Sequence, residues 1–251
     1  MAMKINIGSW NIWIYGPRDF KGMAEVIKEN KIDILGIQEA GIYFDKGQEN
    51  MTEKIAKELN FNFVFYPAFD SSPNEAFIQC NAILSRFPIV ESKSSHLNPS
   101  GIKYDGTYET EPRILISSKI QLSEDKIINF LSTHLQFSLN FKTTSIRLAQ
   151  VENILSIVKK LDNPIALTGD FNTTPQSEGI RKIESFLARV DGNEPTWSVH
   201  PWKMEKYKWH VNGLEYRLDN IFVSKSLAYK NFNVIKSKIS DHLPIKATIE
   251  I

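Results

Sequence analysis

Short stretches of extended-type sequence recur along the chain with few helical stretches between them, and no other feature limits the architecture as much. Apolar or alternating runs at 5–10, 32–38, 62–66, 77–85, 113–121, 127–135, 165–168, 218–223 and 245–251 read as strands. A polar turn at Glu124-Asp125 makes the runs at 113–121 and 127–135 an expected hairpin. Helical stripes are fewer: Phe20, Met23, Ala24 and Ile27; then Met51, Ile55 and Leu59; then Val151, Ile154, Leu155, Val158 and Leu161. About nine strands with three or four helices cannot form one open sheet without leaving a face bare, so an α/β (α+β) chain with two packed sheets covered by helices is expected. No repeat or linker divides the 251 residues, which points to a single domain over 1–251.

The 30 basic residues against 29 acidic ones give a net charge of +1, so no global field advertises a nucleic acid or a membrane, and any polyanion must be held locally. The lone cysteine, Cys80, excludes an intramolecular disulfide and a Cys-rich zinc site, and suits a reducing compartment. Polar residues interrupt the amino terminus, and no run of about 18 apolar residues occurs. A cytoplasmic protein without a membrane anchor is the resulting expectation; the oligomeric state is open, and a monomer is compatible with everything above.

Chemistry-bearing residues gather at the ends of the expected strands. Asp170-Phe171-Asn172 follows the strand at 165–168, where residues i and i+2 of extended backbone point the same way. Asp241-His242, just before the last strand, can ligate a metal and handle a proton. His134 ends one strand, Glu39 another and Asn11 the first, while Asp219 stands in the run at 218–223, where a histidine partner would offset its burial. Each has a plain alternative: a turn for Gly169-Asp170-Phe171-Asn172, a satisfied core histidine for His134, a solvated loop acid for Glu39. Their combination carries the specificity.

Trp10-Asn11, Ile37-Gln38-Glu39, the stretch from Asn81 to Ile89, Thr133-His134-Leu135, Gly169 to Pro175, Arg217-Leu218-Asp219 and Ser240-Asp241-His242-Leu243-Pro244 together resemble the endonuclease/exonuclease/phosphatase superfamily over nearly the whole chain. The resemblance implies a DNase I-like four-layer sandwich, with two mainly antiparallel sheets flanked by helices. It implies Mg²⁺, with Mn²⁺ as a substitute, held chiefly by Glu39, with Asn11 and Asp241 near the metal or the phosphate. Oxygen donors of this kind suit a hard cation. Asp170 would orient or deprotonate the attacking water, and Asn172 would hydrogen-bond a phosphate oxygen. His242 would bind or protonate the phosphate, oriented by Asp219. His134 would donate to a phosphate oxygen or the leaving group, with Glu75 and Gln79 both open as its partner.

The implied activity is phosphodiester hydrolysis, first of all on DNA or RNA. A small-molecule or lipid-linked phosphoester is the alternative, and a catalytically silent binding module a third. The Thr133-His134-Leu135 and Gly169 to Pro175 stretches are similar to deadenylase-like and general bacterial members. Segment 197–210 interleaves tryptophans with lysines, which suits single-stranded nucleic acid, or else simply packs its rings on a sheet. Arg113 and Arg147 are read equally as structural residues or phosphate clamps.

Overall fold

The computed structural model describes residues 2–45, 47–68, 76–162, 164–190, 192–205 and 208–251. The first half of the chain runs β1 (Lys4–Asn11), α1 (Phe20–Glu29), β2 (Ile34–Tyr43), β3 (Glu49–Asn50), α2 (Met51–Leu59), β4 (Asn62–Pro67), β5 (Phe77–Ser85), β6 (Ile89–His96) and β7 (Ile114–Ser123). It continues through β8 (Lys126–His134), α3 (Ser145–Val158), β9 (Ile165–Asp170), α4 (Glu178–Glu184) and β10 (Leu187–Arg189). The last elements are β11 (Trp202–Met204), β12 (Trp209–Val211), β13 (Asp219–Ser224), β14 (Ala228–Val234) and β15 (Ile245–Glu250).

One sheet has the order β14-β15-β1-β2-β5-β4, with β3 beside β2, and the other β10-β13-β9-β8-β7-β6. Their inner faces meet: Ile5, Ile7, Ile34 and Ile83 pack with Ile116, Ile128, Phe130 and Ile221. Full burial of one such side chain contributes about 1.5–3 kcal/mol. On the outer face of the first sheet, Met23, Ile27 and Ile55 of α1 and α2 cover Trp10, Leu35 and Ile37. On that of the second, Val151, Ile154 and Ile180 of α3 and α4 cover Leu131, Leu167 and Phe222. The result is the expected four-layer sandwich of the DNase I-like type.

Each sheet is antiparallel except for one central pair. β1 and β2 run parallel with Asn11 opposite Gln38, and β8 and β9 run parallel with His134 opposite Asp170. A parallel neighbour needs a crossover, which α1 and α3 supply. The carboxyl ends of all four strands therefore open at one end of the sandwich. The sheets come close there: a Cβ on Gly36 would lie 2.4 Å from Thr168 Oγ1 and 2.7 Å from Ser132 Oγ, so no side chain fits.

The strands at β6 and β14 escape the apolar pattern because they are edges. β6 reads Ile-Val-Glu-Ser-Lys-Ser-Ser-His, and β14 shifts register between Lys230 and Asn233. Polar and irregular edges of this kind discourage pairing with other chains. No helix among the described residues is long and apolar enough to cross a membrane.

Candidate active site

A cleft of about 400 Å³ opens at the strand ends, lined at its base by Glu39, His134, Asp170, Asn172, Asp241 and His242. Asn11 and Asp219 lie buried among them. Residues scattered from 11 to 242 thus meet in one place.

Glu39 reaches the cleft through a bulge. The pairing of β2 with β5 shifts register between Ile37 and Ala40, and Glu39 sits there at φ 57°, a left-handed conformation uncommon for a non-glycine residue. Its Oε1 accepts from Asn11 Nδ2 (2.9 Å) and its Oε2 from the Ile14 amide (3.1 Å). Burial, and then the negative charge of Asp241, push its pKa up to about 7.

Asp170 stands between two imidazoles. Its Oδ2 lies 3.5 Å from His134 Nε2 and 3.6 Å from His242 Nε2, and accepts from Asn11 Nδ2 at 3.1 Å. Burial raises its pKa to about 6, with His242 opposing and Asp219 adding to the rise. Extended alternation does not account for its pairing with Asn172, because β9 ends at Asp170 and Asn172 takes φ 49°. A turn brings them together instead, closed by the Asn172 amide donating to Asp170 Oδ1 (2.9 Å).

His242 Nδ1 and Asp219 Oδ2 are 2.9 Å apart, the expected dyad. Burial alone would lower the His242 pKa, but Asp219, Asp170 and Asp241 outweigh it and push it up to about 10. The ring is therefore charged at neutral pH. Ser240 Oγ accepts from the His242 amide and donates to the Asn11 carbonyl, fastening the loop to β1.

His134 has the opposite character. Arg113 Nη1 faces its Nδ1 at 3.0 Å, and Arg113 Nη2 donates to Glu111 Oε2 at 2.5 Å. Asn172 Nδ2 faces its Nε2 at 2.9 Å while donating to the Leu135 carbonyl. A guanidinium only donates, so His134 Nδ1 must accept and the ring must be neutral. The charge-assisted contact with Arg113 prevails, which leaves the ring proton on Nε2, where Asp170 Oδ2 at 3.5 Å can accept it and the Asn172 amide nitrogen, itself a donor, cannot. Burial, followed by the charges of Arg113 and His242, also holds its pKa well below the ordinary imidazole value. Of the two expected partners, Glu75 lies outside the described residues, and Gln79 lines the cleft without occupying a His134 nitrogen. Nitrogen-15 spectra of wild-type protein should therefore show His134 protonated at Nε2 and neutral near pH 6; a ring protonated at Nδ1 would contradict this geometry.

The remaining expectations divide. Arg147 is structural: buried, it donates to the carbonyls of Gln136 (2.8 Å), Asn172 (2.6 Å), Phe141 (3.2 Å) and Lys142, and so holds the Asn172 turn. The tryptophans of segment 197–210 mainly pack: Trp197 and Trp209 are buried with Phe141 and Leu218, and Trp197 Nε1 donates to Asp241 Oδ2 (2.9 Å). Trp202 also faces the cleft, Lys203 and Lys208 point to solvent, and Lys206 lies outside the described residues. Glu111, Trp13 and Tyr108 also line the cleft, although no motif in the sequence marks them. The charged pair Glu111 and Arg113, set at the mouth of an apolar strand, was the available signal for the first.

The donor set suits a hard divalent cation. Glu39 and Asp241 bring carboxylates close enough to raise the pKa of Glu39, a repulsion that a cation would relieve. Asn11 offers nitrogen rather than oxygen towards Glu39, since its Oδ1 accepts from the Trp13 amide (3.0 Å). Ligand atoms of Asp170, Asp219 and His242 also lie within 4.8 Å of one another. His242 Nδ1 is already bound to Asp219, however, so the Glu39 and Asp241 side is the better cation seat.

The model of the Endonuclease/Exonuclease/phosphatase family matches residues 8–242. The chain belongs to this family. Over 84 residues it is 44% identical to Protein angel of Drosophila melanogaster, a match that spans 33% of this chain and 23% of that relative's length. Among solved structures, it is similar to an endonuclease/exonuclease/phosphatase family protein from Bacteroides thetaiotaomicron, with a TM-score of 0.76, 18% identity, and coverage of 100% of this chain and 99% of that one. It is also similar to ANGEL2, described as a 2',3'-cyclic phosphatase and solved in complex with adenosine-2',3'-vanadate, with a TM-score of 0.72, 14% identity, and coverage of 100% and 96%. At these identities the two structures establish the fold. Phosphoester hydrolysis is the chemistry of the family to which the fold and the cleft belong.

Proposed function

We propose that the protein hydrolyses phosphodiesters of short or single-stranded nucleic acid by attack of water on phosphorus, with Mg²⁺, replaceable by Mn²⁺, as its cofactor. The observation that carries this reading is the buried Asp170 carboxylate, set between a charged and a neutral imidazole at the base of an aromatic-walled cleft.

Asp170 Oδ2 is the proton acceptor for the water. Asn11 and the Asn172 amide hold the carboxylate in place, and a pKa of about 6 keeps it basic at neutral pH without making it inert. His242, kept charged by Asp219, donates from Nε2 to the phosphoryl group, where negative charge grows. His134 donates from the Nε2–H that Arg113 leaves facing the cleft. Glu39 and Asp241 would hold a hard divalent cation, which would supply Lewis-acid stabilisation of the same charge. Trp13, Tyr108, Phe137 and Trp202 offer ring faces for a base. The neighbour solved with adenosine-2',3'-vanadate is consistent with a nucleotide ligand.

Scarcity of cations favours a short ligand. Arg113, the one arginine among the described residues of the cleft wall, is already paired with Glu111, so a long duplex backbone has little to grip there. The same scarcity supports a second reading, a small or lipid-linked phosphoester. Single-stranded DNA, RNA, duplex DNA, sphingomyelin and a generic phosphodiester, each with Mg²⁺, Mn²⁺ or EDTA, separate these readings. Cation-dependent cleavage of a single strand is expected. Turnover of sphingomyelin or the generic ester alone would favour the second reading, and no turnover and no cation binding would leave a silent module.

The pH profile follows from the same groups. Asp170 must be deprotonated and His242 protonated, so kcat/KM rises through about pH 6 and falls towards about pH 10. A rising limb centred at the ordinary carboxylate value near pH 4 would remove Asp170 from the role of base.

A further inference from the structure

Beyond the catalytic residues, the cleft continues into a second hollow of about 450 Å³. The two share Tyr15, Gln79, Tyr108 and Glu111, so they form one trough with the reacting groups at one end. The far end adds Phe77 and Tyr104, and none of its described lining residues is a lysine or an arginine. Tyr15 is 75% and Tyr104 44% exposed, an unusual outlay of aromatic surface beside a polar site. Two polar groups shared by both hollows are unspent. Glu111 gives Oε2 to Arg113 while its Oε1 has no partner among the described residues, and the Gln79 side-chain amide has none either.

A phosphate does not suit this end, whose described lining carries an acid and neither lysine nor arginine. A flat, uncharged ring with hydrogen-bond donors on its edge does: it would stack on the tyrosines and present a donor to Glu111 Oε1. Because Gln79, Tyr108 and Glu111 line both hollows, a ring bound there adjoins the catalytic end. We propose that the far end of the trough binds the base next to the scissile phosphodiester, and that Glu111 and Gln79 favour a base bearing an amino group over uracil or thymine. In uracil the ring N–H lies between two carbonyls, which face the carboxylate unfavourably. This rests on the nucleic-acid reading given above and adds a second subsite and a base preference to it.

Dinucleotides with a common scissile ester and a flanking adenine, cytosine, uracil or abasic ribose test it, assayed with wild type, Tyr104→Ala, Tyr104→Phe and Gln79→Ala in Mn²⁺. Wild type should cleave the adenine and cytosine compounds with kcat/KM at least about tenfold above the abasic one, and above the uracil one by a smaller margin. Tyr104→Ala should erase most of the gain over the abasic compound and Tyr104→Phe retain it, while Gln79→Ala should narrow the gap between adenine and uracil. Equal turnover of abasic and base-bearing compounds, or a gain that survives Tyr104→Ala in full, would overturn the subsite while leaving the nuclease reading intact. Failure to cleave any member would remove that reading, and the subsite with it.

Discussion

Asp170→Asn lowers the rate of phosphodiester hydrolysis by about 10²–10⁴-fold, the range a positioned general base contributes, and excess Mg²⁺ does not restore it. The substitution keeps the size of the side chain and its Oδ1 acceptor for the Asn172 amide. It removes the oxygen that faces both imidazoles, and sets an amide N–H where Asn11 already donates. The fold survives, because a carboxylate whose pKa burial has raised opposes folding in its charged form. Steady-state rates and a melting curve on one preparation check both halves. Near-normal turnover in excess Mg²⁺ would take the base role away from Asp170.

Glu39→Gln acts differently. Its pKa stands at about 7 in the folded chain against 4.5 for the free side chain, so the folded state holds the proton more tightly. For an acid shifted upward, the unfavourable contribution is absent below pH 4.5, grows between 4.5 and 7, and is complete above 7. Metal-free Glu39→Gln should therefore match wild type near pH 4 and be more stable by roughly 3 kcal/mol at pH 8. Mg²⁺ should reverse the order at pH 8, since wild type gains stability on binding the cation and the variant does not. Activity of the variant should fall by at least about 10²-fold. A wild type that Mg²⁺ fails to stabilise at pH 8, or a variant that responds to Mg²⁺ equally, would remove Glu39 as the cation's seat.

Much of this was legible in the sequence, for identifiable reasons. The strands that form the sheet interiors, such as β1, β5, β9 and β13, are apolar on a period of two or throughout, and burial on both faces demands that pattern. Edge strands β6 and β14 do not bury a full face, so their side chains carry no such signal. At the site, short motifs located Asp170, Asn172, Asp219 and His242, but two of the local causes are conformational. Glu39 depends on a bulge, and Asn172 on a left-handed turn whose carbonyl Arg147 grips from α3. Neither a bulge nor a non-glycine left-handed residue leaves a mark in residue spacing.

The partner of His134 shows a further limit. The sequence points to a carboxylate or amide in the segment before Asn81, whereas the group on its Nδ1 is the guanidinium of Arg113, beside the start of β7. That neighbour is antiparallel to β8, and the contact comes from cross-strand register, with Leu115 opposite Thr133. Sequence distance gives no hint of it. The exchange changes the chemistry as well: Glu75 would favour the charged imidazole and Gln79 would leave it without an ionic partner, whereas Arg113 holds it neutral.

The account rests on Asp170 and His242 working as one unit on one phosphate, 3.6 Å apart though 72 positions distant in sequence. A double-substitution cycle with Asp170→Asn and His242→Gln measures this most directly, read as kcat/KM on a single-stranded dinucleotide in Mg²⁺. Groups that act together lose most of their effect with the first substitution, so the double variant should fall no more than about tenfold below the weaker single variant. A double variant whose loss equals the product of the two single losses would mean that the residues act independently, and would contradict a common centre.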